Sequence, residues 1–146
     1  PWRDNFCEKR DRTTILCPTG KGHQGQDIRP ATCQKSVHWA VAAEDGQITA
    51  VGSYSITLPP PNGTIYRYLH LDMARLAVGE GDTVTKGQRL GFVSNDFGGT
   101  PTTIHHHFEI KMAVEDANGN PTYTFVPPYM SLVRAYARLL NEPPSD

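Results

Sequence analysis

From residue 37 to residue 126 the chain alternates short runs of β-prone residues with pairs of turn-forming residues. Turn pairs such as Asp45-Gly46 and Asn62-Gly63 favour tight reversals between antiparallel strands. A helical pattern of apolar residues appears only in YMSLVRAYARLL, shortly before Pro143, which cannot continue a helix. The sequence therefore predicts a mostly β, antiparallel fold that ends in one short helix over residues 129–141.

Length and charge limit the classes of protein to which the chain can belong. Its 146 residues, with a formal net charge of −1, fit one domain over residues 1–146 without the basic surface that nucleic acid requires. No apolar run approaches the roughly 20 residues of a transmembrane helix. Because the chain begins with Pro1, we expect a processed product or an excised domain, with a possible inhibitory or anchoring segment upstream.

Residues 1–35 are polar, rich in arginine and interrupted by glycine, which predicts an irregular segment pinned to the domain. The segment contains Cys7, Cys17 and Cys33 without a CxxC pair, which argues against a structural zinc knuckle. In an oxidising compartment two of the three would pair and one would be left over. Three buried free thiols are the alternative.

The stretch TTIHHHFEI, residues 102–110, places three histidines in a predicted strand. Successive side chains of a strand alternate between its faces, so His105 and His107 share one face, while His106 and Phe108 share the other. Two imidazoles on one face can converge on a single metal ion.

A second cluster lies in GHQGQDIRP, where His23 and Asp27 are four residues apart. An imidazole and a carboxylate are suitable zinc ligands, and the even spacing puts both on one face of an extended segment. If His107 is the third ligand, the site has two histidines, one aspartate and an open position for water. An open position is typical of catalytic zinc, because structural sites are closed by four protein ligands.

Four ordered motifs between residues 20 and 126 resemble those of the lysostaphin/LytM-type zinc metallopeptidases, which cleave bacterial peptidoglycan. GHQGQD is similar to their HxxxD motif and IHHHFEI to their HxH motif, with YRYLHL and VGEGDTVTKGQRLGFVSN between them. The resemblance implies an antiparallel β sandwich of the LytM/duplicated-hybrid type with a central groove.

The resemblance also implies roles for five residues of the candidate site. His23, Asp27 and His107 correspond to the zinc ligands, and His70 and His105 correspond to the two other histidines of the family's site. We expect His105 to act as general base and His70 to orient water or stabilise the oxyanion, although the sequence allows the two roles to be exchanged.

Three features need separate expectations. Glu109 shares a face with His107, so it is either a partner that fixes an imidazole tautomer or a solvated carboxylate. His106 stands where the family usually has leucine, and it should affect packing more than chemistry. The cysteine-bearing segment is not part of the family pattern, and we expect it to cover or shape one end of the groove.

The resulting hypothesis is a Zn²⁺-dependent endopeptidase that hydrolyses peptide cross-links or stems of peptidoglycan in the periplasm, the cell envelope or outside the cell. D-Alanyl–diaminopimelate bonds are favoured over glycine bridges, because cysteines suit a Gram-negative periplasm. Three alternatives remain: a catalytically weak relative that binds the cell wall or activates a partner amidase, a β module with structural zinc, and a biotinyl- or lipoyl-type carrier modified at Lys111.

Overall fold

The computed structural model describes residues 3–141, and its architecture is antiparallel β with one C-terminal helix. The strands are β1 (Gln26–Ile28), β2 (Trp39–Val41), β3 (Gly46–Gln47), β4 (Ala50–Val51), β5 (Ser55–Leu58), β6 (Ile65–Leu69), β7 (Thr83–Val84), β8 (Arg89–Phe92), β9 (His106–Glu115) and β10 (Pro121–Val126). A 3₁₀ turn covers Met73–Arg75, and helix α1 covers Tyr129–Asn141. The predicted fold class is confirmed.

Strand β9 is the centre of the main sheet. β6 pairs with it on one edge, and β1 and β10 follow one another along the other edge, because β1 pairs with residues 106–108 and β10 with residues 110–115. β5 and β4 extend the sheet beyond β6. The functional half of β9 is therefore hydrogen-bonded on both sides, which fixes the direction of every side chain along it.

The hydrophobic core lies between this sheet and two small sheets, β2–β8 and β3–β7. The main sheet contributes Ile56, Tyr68, Phe108 and Ile110, and the small sheets contribute residues such as Leu90. All are at least nine-tenths buried. Since one face of β9 is used for the core, its other face is free to carry polar groups.

The two predicted turn pairs have different outcomes. Asn62-Gly63 does lie in the connection between β5 and β6, which pair antiparallel. The hairpin predicted at Asp45-Gly46 is wrong, because β2 pairs with β8 and β3 with β7. Asp45 instead accepts a hydrogen bond from the backbone N–H of Lys86 at 2.7 Å, so this turn packs against a neighbouring turn.

The N-terminal segment is closed by a disulfide between Cys7 and Cys17, whereas Cys33 is an exposed free thiol. The alternative of three buried thiols is therefore wrong. The segment is mostly irregular, but the sequence prediction missed β1 inside it. Residues 1–2 and 142–146 of the predicted domain lie outside the described residues.

Two further expectations are settled by the strand positions. Lys111 lies inside β9, where it is paired with Ile65 on one side and Phe125 on the other, so the carrier hypothesis, which needs a lysine at a hairpin tip, is wrong.

Among residues 3–141, no helix has the length and apolar character needed to cross a membrane.

Candidate metal centre

The face of β9 that points away from the core carries His107 and Glu109, both almost fully buried. His106 and Phe108 point to the opposite face, and the His106 ring stacks on Tyr68 with centroids 5.7 Å apart. The alternation predicted for this strand is therefore present. It puts polar groups on the groove side and a histidine, His106, into the core.

Strand β1 brings the second cluster to the first. The antiparallel register sets Asp27 directly opposite His107, and His23 lies in the turn that leads into β1. His107 Nδ1 is 3.0 Å from Asp27 Oδ1 and 3.0 Å from His23 Nε2. His23 Nε2 is 3.3 Å from Asp27 Oδ1. Three donor atoms of the predicted ligand residues thus form a small triangle.

The size and chemistry of this triangle fit a zinc ion. Zinc bonds to imidazole nitrogen and carboxylate oxygen are about 2.0–2.2 Å long, so adjacent ligand atoms of a tetrahedral shell are roughly 3.3–3.6 Å apart. The observed distances of 3.0–3.3 Å need to lengthen by only a few tenths of an ångström. The donor set of two nitrogens and one carboxylate oxygen is also one that zinc prefers.

Hydrogen bonds on the far side of each ring set the tautomers. His23 Nδ1–H donates to the backbone oxygen of Asn5 at 2.9 Å, and His107 Nε2–H donates to Glu109 Oε1 at 2.9 Å. The nitrogens that face Asp27, His23 Nε2 and His107 Nδ1, are the ones that would bind a metal once they release any proton shared with Asp27. Such outer contacts orient metal ligands and raise their basicity.

Glu109 is held ionised although only 1% of it is exposed. Burial raises its pKa, but contacts with His107, Gln24 and Arg67 outweigh burial and hold the pKa below its usual value. Gln24 Nε2 donates to Oε1 at 2.8 Å, and an Arg67 guanidinium nitrogen donates to Oε2 at 2.6 Å. The alternative of a solvated Glu109 is therefore wrong, and its contact with His107 is the one that the tautomer hypothesis requires.

His70 and His105 stand beside the triangle. Their ring centroids are 4.7 Å apart, and His105 Nε2 is 3.5 Å from Asp27 Oδ1. His105 lies just before β9 rather than within it. His70 Nδ1–H donates to the backbone oxygen of Asp96 at 2.9 Å, and His105 Nδ1–H donates to that of Thr103 at 2.8 Å. In both rings Nε2 therefore keeps its lone pair.

The electrostatics of the site separate its charged and neutral members. Burial lowers the pKa of His70 to about 4 and also lowers the pKa of His105, so both rings are neutral at neutral pH. Burial opposes ionisation of Asp27, but hydrogen bonds from His107 and His23 outweigh it and hold its pKa well below the usual range. The site thus offers one anionic ligand and two neutral rings that can take up a proton.

His70 adopts an unusual backbone conformation, with a φ of 68°. A non-glycine residue in this left-handed region costs about 1–2 kcal/mol. The backbone is fixed there by hydrogen bonds on both sides of the residue, from Ser94 N–H to the His70 oxygen at 2.9 Å and from His70 N–H to the Tyr54 oxygen at 3.4 Å. Strain of this kind is concentrated at functional sites.

Two glycines permit close approaches around the ligands. A Cβ at Gly25 would lie 2.6 Å from His107 Nε2 and 2.9 Å from the Glu109 side chain, and a Cβ at Gly22 would lie 2.9 Å from the backbone of Cys7. Gly25 therefore leaves room for the contact between His107 and Glu109. Gly22 lets the disulfide-closed loop lie against the turn that carries His23.

The sequence analysis missed Asn5, which joins the N-terminal segment to both ligands on the β1 side. Its side chain donates to Asp27 Oδ2 at 3.0 Å and accepts from the Asp27 N–H at 3.1 Å, in addition to its backbone contact with His23. No pattern in the sequence marks this residue. Gln24 and Arg67 were also missed, although alternation in β6 indicates that Arg67 points away from Tyr66 and Tyr68.

All five predicted site residues line one open groove of about 1040 Å³. The ligand triangle lies on its floor, so a fourth ligand position would face a space large enough for an extended peptide. Convergent imidazole and carboxylate donors in an open groove are typical of hydrolytic metalloenzymes.

Comparison with known proteins identifies the family to which the chain belongs. Residues 21–122 match the model of peptidase family M23, and the chain belongs to that family. The recognised lysostaphin/LytM-type resemblance is thereby confirmed. No curated relative is close enough in sequence to be matched.

Solved structures share the fold. A LytM protein of Ruminococcus gnavus, assigned as a glycyl-glycine endopeptidase, superposes with a TM-score of 0.67 at 23% identity and covers 93% of this chain, which spans 62% of that protein. The catalytic domain of lysostaphin from Staphylococcus simulans gives 0.60 at 21% identity, with 88% of this chain and 93% of that domain covered. A zinc-containing peptidase from Vibrio cholerae gives 0.50 at 24%, with 84% and 35% covered.

Proposed function

We propose that the protein is a zinc-dependent endopeptidase that hydrolyses peptide cross-links or stems of bacterial peptidoglycan. The observation that carries the proposal is the triangle of His23, Asp27 and His107, whose donor atoms have the spacing of zinc ligands and lie at the floor of a peptide-sized groove. Membership of a peptidase family gives the reaction class, and the structural neighbours include cell-wall and zinc peptidases.

His23 Nε2, Asp27 Oδ1 and His107 Nδ1 would hold the ion. Zinc in such a site supplies Lewis acidity and lowers the pKa of a bound water toward about 7. Asn5 and Glu109 keep the ligand rings in the required tautomers, while Glu109 itself is neutralised by Arg67. The metal therefore needs only small shifts of groups that are already positioned.

His105 is the proposed general base. Its ring is neutral, its Nε2 faces Asp27 at 3.5 Å, and its Nδ1–H is fixed by Thr103. It can therefore accept the proton that water loses as it attacks the scissile carbonyl. His70, fixed in the same way by Asp96, is the proposed partner that orients water or donates to the oxyanion after protonation.

The expected bond is D-alanyl–diaminopimelate, with glycine bridges as the other candidate. We also propose action in the periplasm or elsewhere at the cell envelope. The disulfide between Cys7 and Cys17 favours an oxidising compartment. An upstream inhibitory or anchoring segment stays a prediction, as does a single domain over the whole chain.

Two variants test the proposal. His105→Ala should keep one zinc per chain but lower kcat by about 10²–10⁴-fold, because only the proton acceptor is lost. His23→Ala should lose the zinc itself. Zinc is measured by elemental analysis and turnover by chromatography of digested muropeptides, with His38→Ala as a control outside the groove.

The outcomes also separate the alternatives. A zinc-loaded wild-type chain that cleaves no muropeptide would favour the non-catalytic relative that binds the wall or activates an amidase. A closed site that exchanges no solvent would favour structural zinc. Full activity in His105→Ala would exclude the proposed base.

A further inference from the structure

Four of the residues that line the groove are arginines. Arg3, Arg10 and Arg12 come from the N-terminal segment, and Arg29 follows β1; all four are exposed and line the groove. We call these four residues the arginine wall. No lysine among the described residues lines the groove, so the positive charge there is carried by guanidinium groups alone.

The protein neutralises only part of the positive charge of these arginines. Glu8 is the groove carboxylate that faces it, 3.1 Å from Arg10 and 3.7 Å from Arg3. Within residues 3–141, the side chains of Arg12 and Arg29 form no hydrogen bond or ion pair. Since the whole chain has a net charge of −1, this excess is local to the groove.

The other carboxylates that line the groove, Asp27 and Glu109, already have partners. Asp27 is held by His23, His107 and Asn5, and Glu109 is held by His107, Gln24 and Arg67. Neither carboxylate is available to pair with the arginine wall. Two guanidinium forks therefore remain with their donors directed at solvent or at a bound molecule.

Arg29 lies next to the centre of the reaction. It is two residues after Asp27, and alternate residues of an extended segment share one face, about 7 Å apart. An anion on the substrate close to the scissile bond would therefore meet Arg29, while more distant anions would meet Arg12. Arginine is suited to this task, because its planar fork binds a carboxylate in a bidentate way.

We propose that the arginine wall binds carboxylates of the substrate, so that the groove selects anionic peptide cross-links over uncharged glycine bridges. This inference rests on the proposed function and names the substrate class within it. In a cross-link made through diaminopimelate, a free carboxylate is attached to the carbon that bears the scissile nitrogen. A chain of glycines has no such group near the bond that is cleaved.

The test uses two synthetic cross-linked tetrapeptide dimers that differ only in this group, which is a free carboxylate in one and a carboxamide in the other. The zinc-loaded 146-residue chain should cleave the carboxylate form with a kcat/KM at least tenfold higher, as expected for one charge-assisted hydrogen bond. Raised salt should reduce the preference, because the wall is exposed. Equal kcat/KM values for the two dimers would overturn the inference.

Single variants assign the effect to the wall. Arg29→Gln should lower kcat/KM for the carboxylate dimer several-fold to tenfold and leave the carboxamide dimer unchanged. Arg12→Gln should lower kcat/KM several-fold for both dimers, because both keep the more distant carboxylates. Arg134→Gln is the matched control, because Arg134 is an exposed arginine on α1 outside the groove. Equal loss of activity on both dimers in Arg29→Gln, or no loss on either dimer in Arg12→Gln, would contradict a role in carboxylate recognition.

A binding measurement separates this inference from the proposed function. Calorimetry with zinc-loaded His105→Ala reports affinity for each dimer without turnover. Tighter binding of the carboxylate dimer without cleavage by the wild-type chain would sustain carboxylate recognition and refute the endopeptidase. Cleavage of both dimers, with equal affinity for the two, would sustain the endopeptidase and refute carboxylate recognition.

Discussion

The two sides of the metal centre are built by different means. His107 belongs to β9, which is hydrogen-bonded to β1 and β6 on its two edges and packs its other face into the core. His23 lies in residues 3–25, which are mostly irregular and are closed by the Cys7–Cys17 disulfide, and Asp27 follows in the three-residue strand β1, which pairs with β9. We call these the strand side and the clasp side.

The difference shows which interactions hold each side in place. The strand side is part of the sheet, so it should open only when the domain unfolds. The clasp side is fixed by a few backbone bonds, such as Cys7 N–H to the His23 oxygen and His23 N–H to the Glu8 oxygen, both 2.8 Å, together with the disulfide. It should therefore open separately and at a lower free energy.

The largest effect is expected from the strand side. Glu109→Ala leaves the Arg67 guanidinium without its buried partner and frees the His107 tautomer. The free energy of unfolding should fall by about 3–5 kcal/mol, and zinc affinity by about 10–100-fold. Chemical denaturation and competition with a zinc chelator measure the two effects.

The matched control for that experiment is Glu115→Ala, at the exposed end of the same strand. It should change the free energy of unfolding by less than about 0.5 kcal/mol. A similar loss in both variants would mean that the buried network does not support the strand side.

The clasp side should respond to loss of its disulfide. Cys7→Ser with Cys17→Ser removes a cross-link that closes a short loop and contributes about 3 kcal/mol. We expect faster hydrogen exchange in residues 3–25 and weaker zinc binding, with β9 and β10 still protected. Exchange followed by mass spectrometry measures this, with Cys33→Ser as the control. Equal loss of protection in β9 would show that the two sides open together.

A smaller effect is expected at the contact between the clasp and the ligands. Asn5→Ala removes two hydrogen bonds to Asp27, so zinc affinity should fall about tenfold and stability by about 1 kcal/mol. Chelator competition measures the affinity. Asn118→Ala, in the turn before β10, is the control, and an unchanged affinity in Asn5→Ala would remove Asn5 from the metal centre.

The smallest effect on the metal centre is expected on the core face of β9. His106→Leu replaces a neutral buried ring with an apolar side chain of similar size and removes one hydrogen bond to the Leu69 oxygen, so the free energy of unfolding should fall by about 1 kcal/mol. Zinc content and kcat should stay within about twofold of wild type, measured as for the other variants. Loss of zinc would show that the two faces of β9 are not independent.

Alternation made the strand side predictable from the sequence. The period of two assigned His107 and Glu109 to one face and His106 to the other, and spacing with chemistry picked out His23 and Asp27. The clasp side was predictable only as a cysteine-bearing segment. Irregular backbone has no period, so nothing in the sequence shows that Asn5 would meet Asp27 or which cysteines would pair.

Pairing between distant strands was also beyond the local pattern. Asp45-Gly46 is a good turn signal, yet the strands beside it pair with β7 and β8. Turn residues indicate that the chain reverses at that point, whereas core packing decides with which strand the flanking strands pair. The resemblance to a family supplied the fold and the ligand set that spacing alone left open.

The left-handed backbone of His70 sets a trade-off between stability and activity. Glycine would adopt a φ of 68° without steric cost, so His70→Gly would relieve strain while it removes one imidazole from the groove. A library screened only for resistance to heat would therefore enrich variants that lack the imidazole at position 70 and are less active.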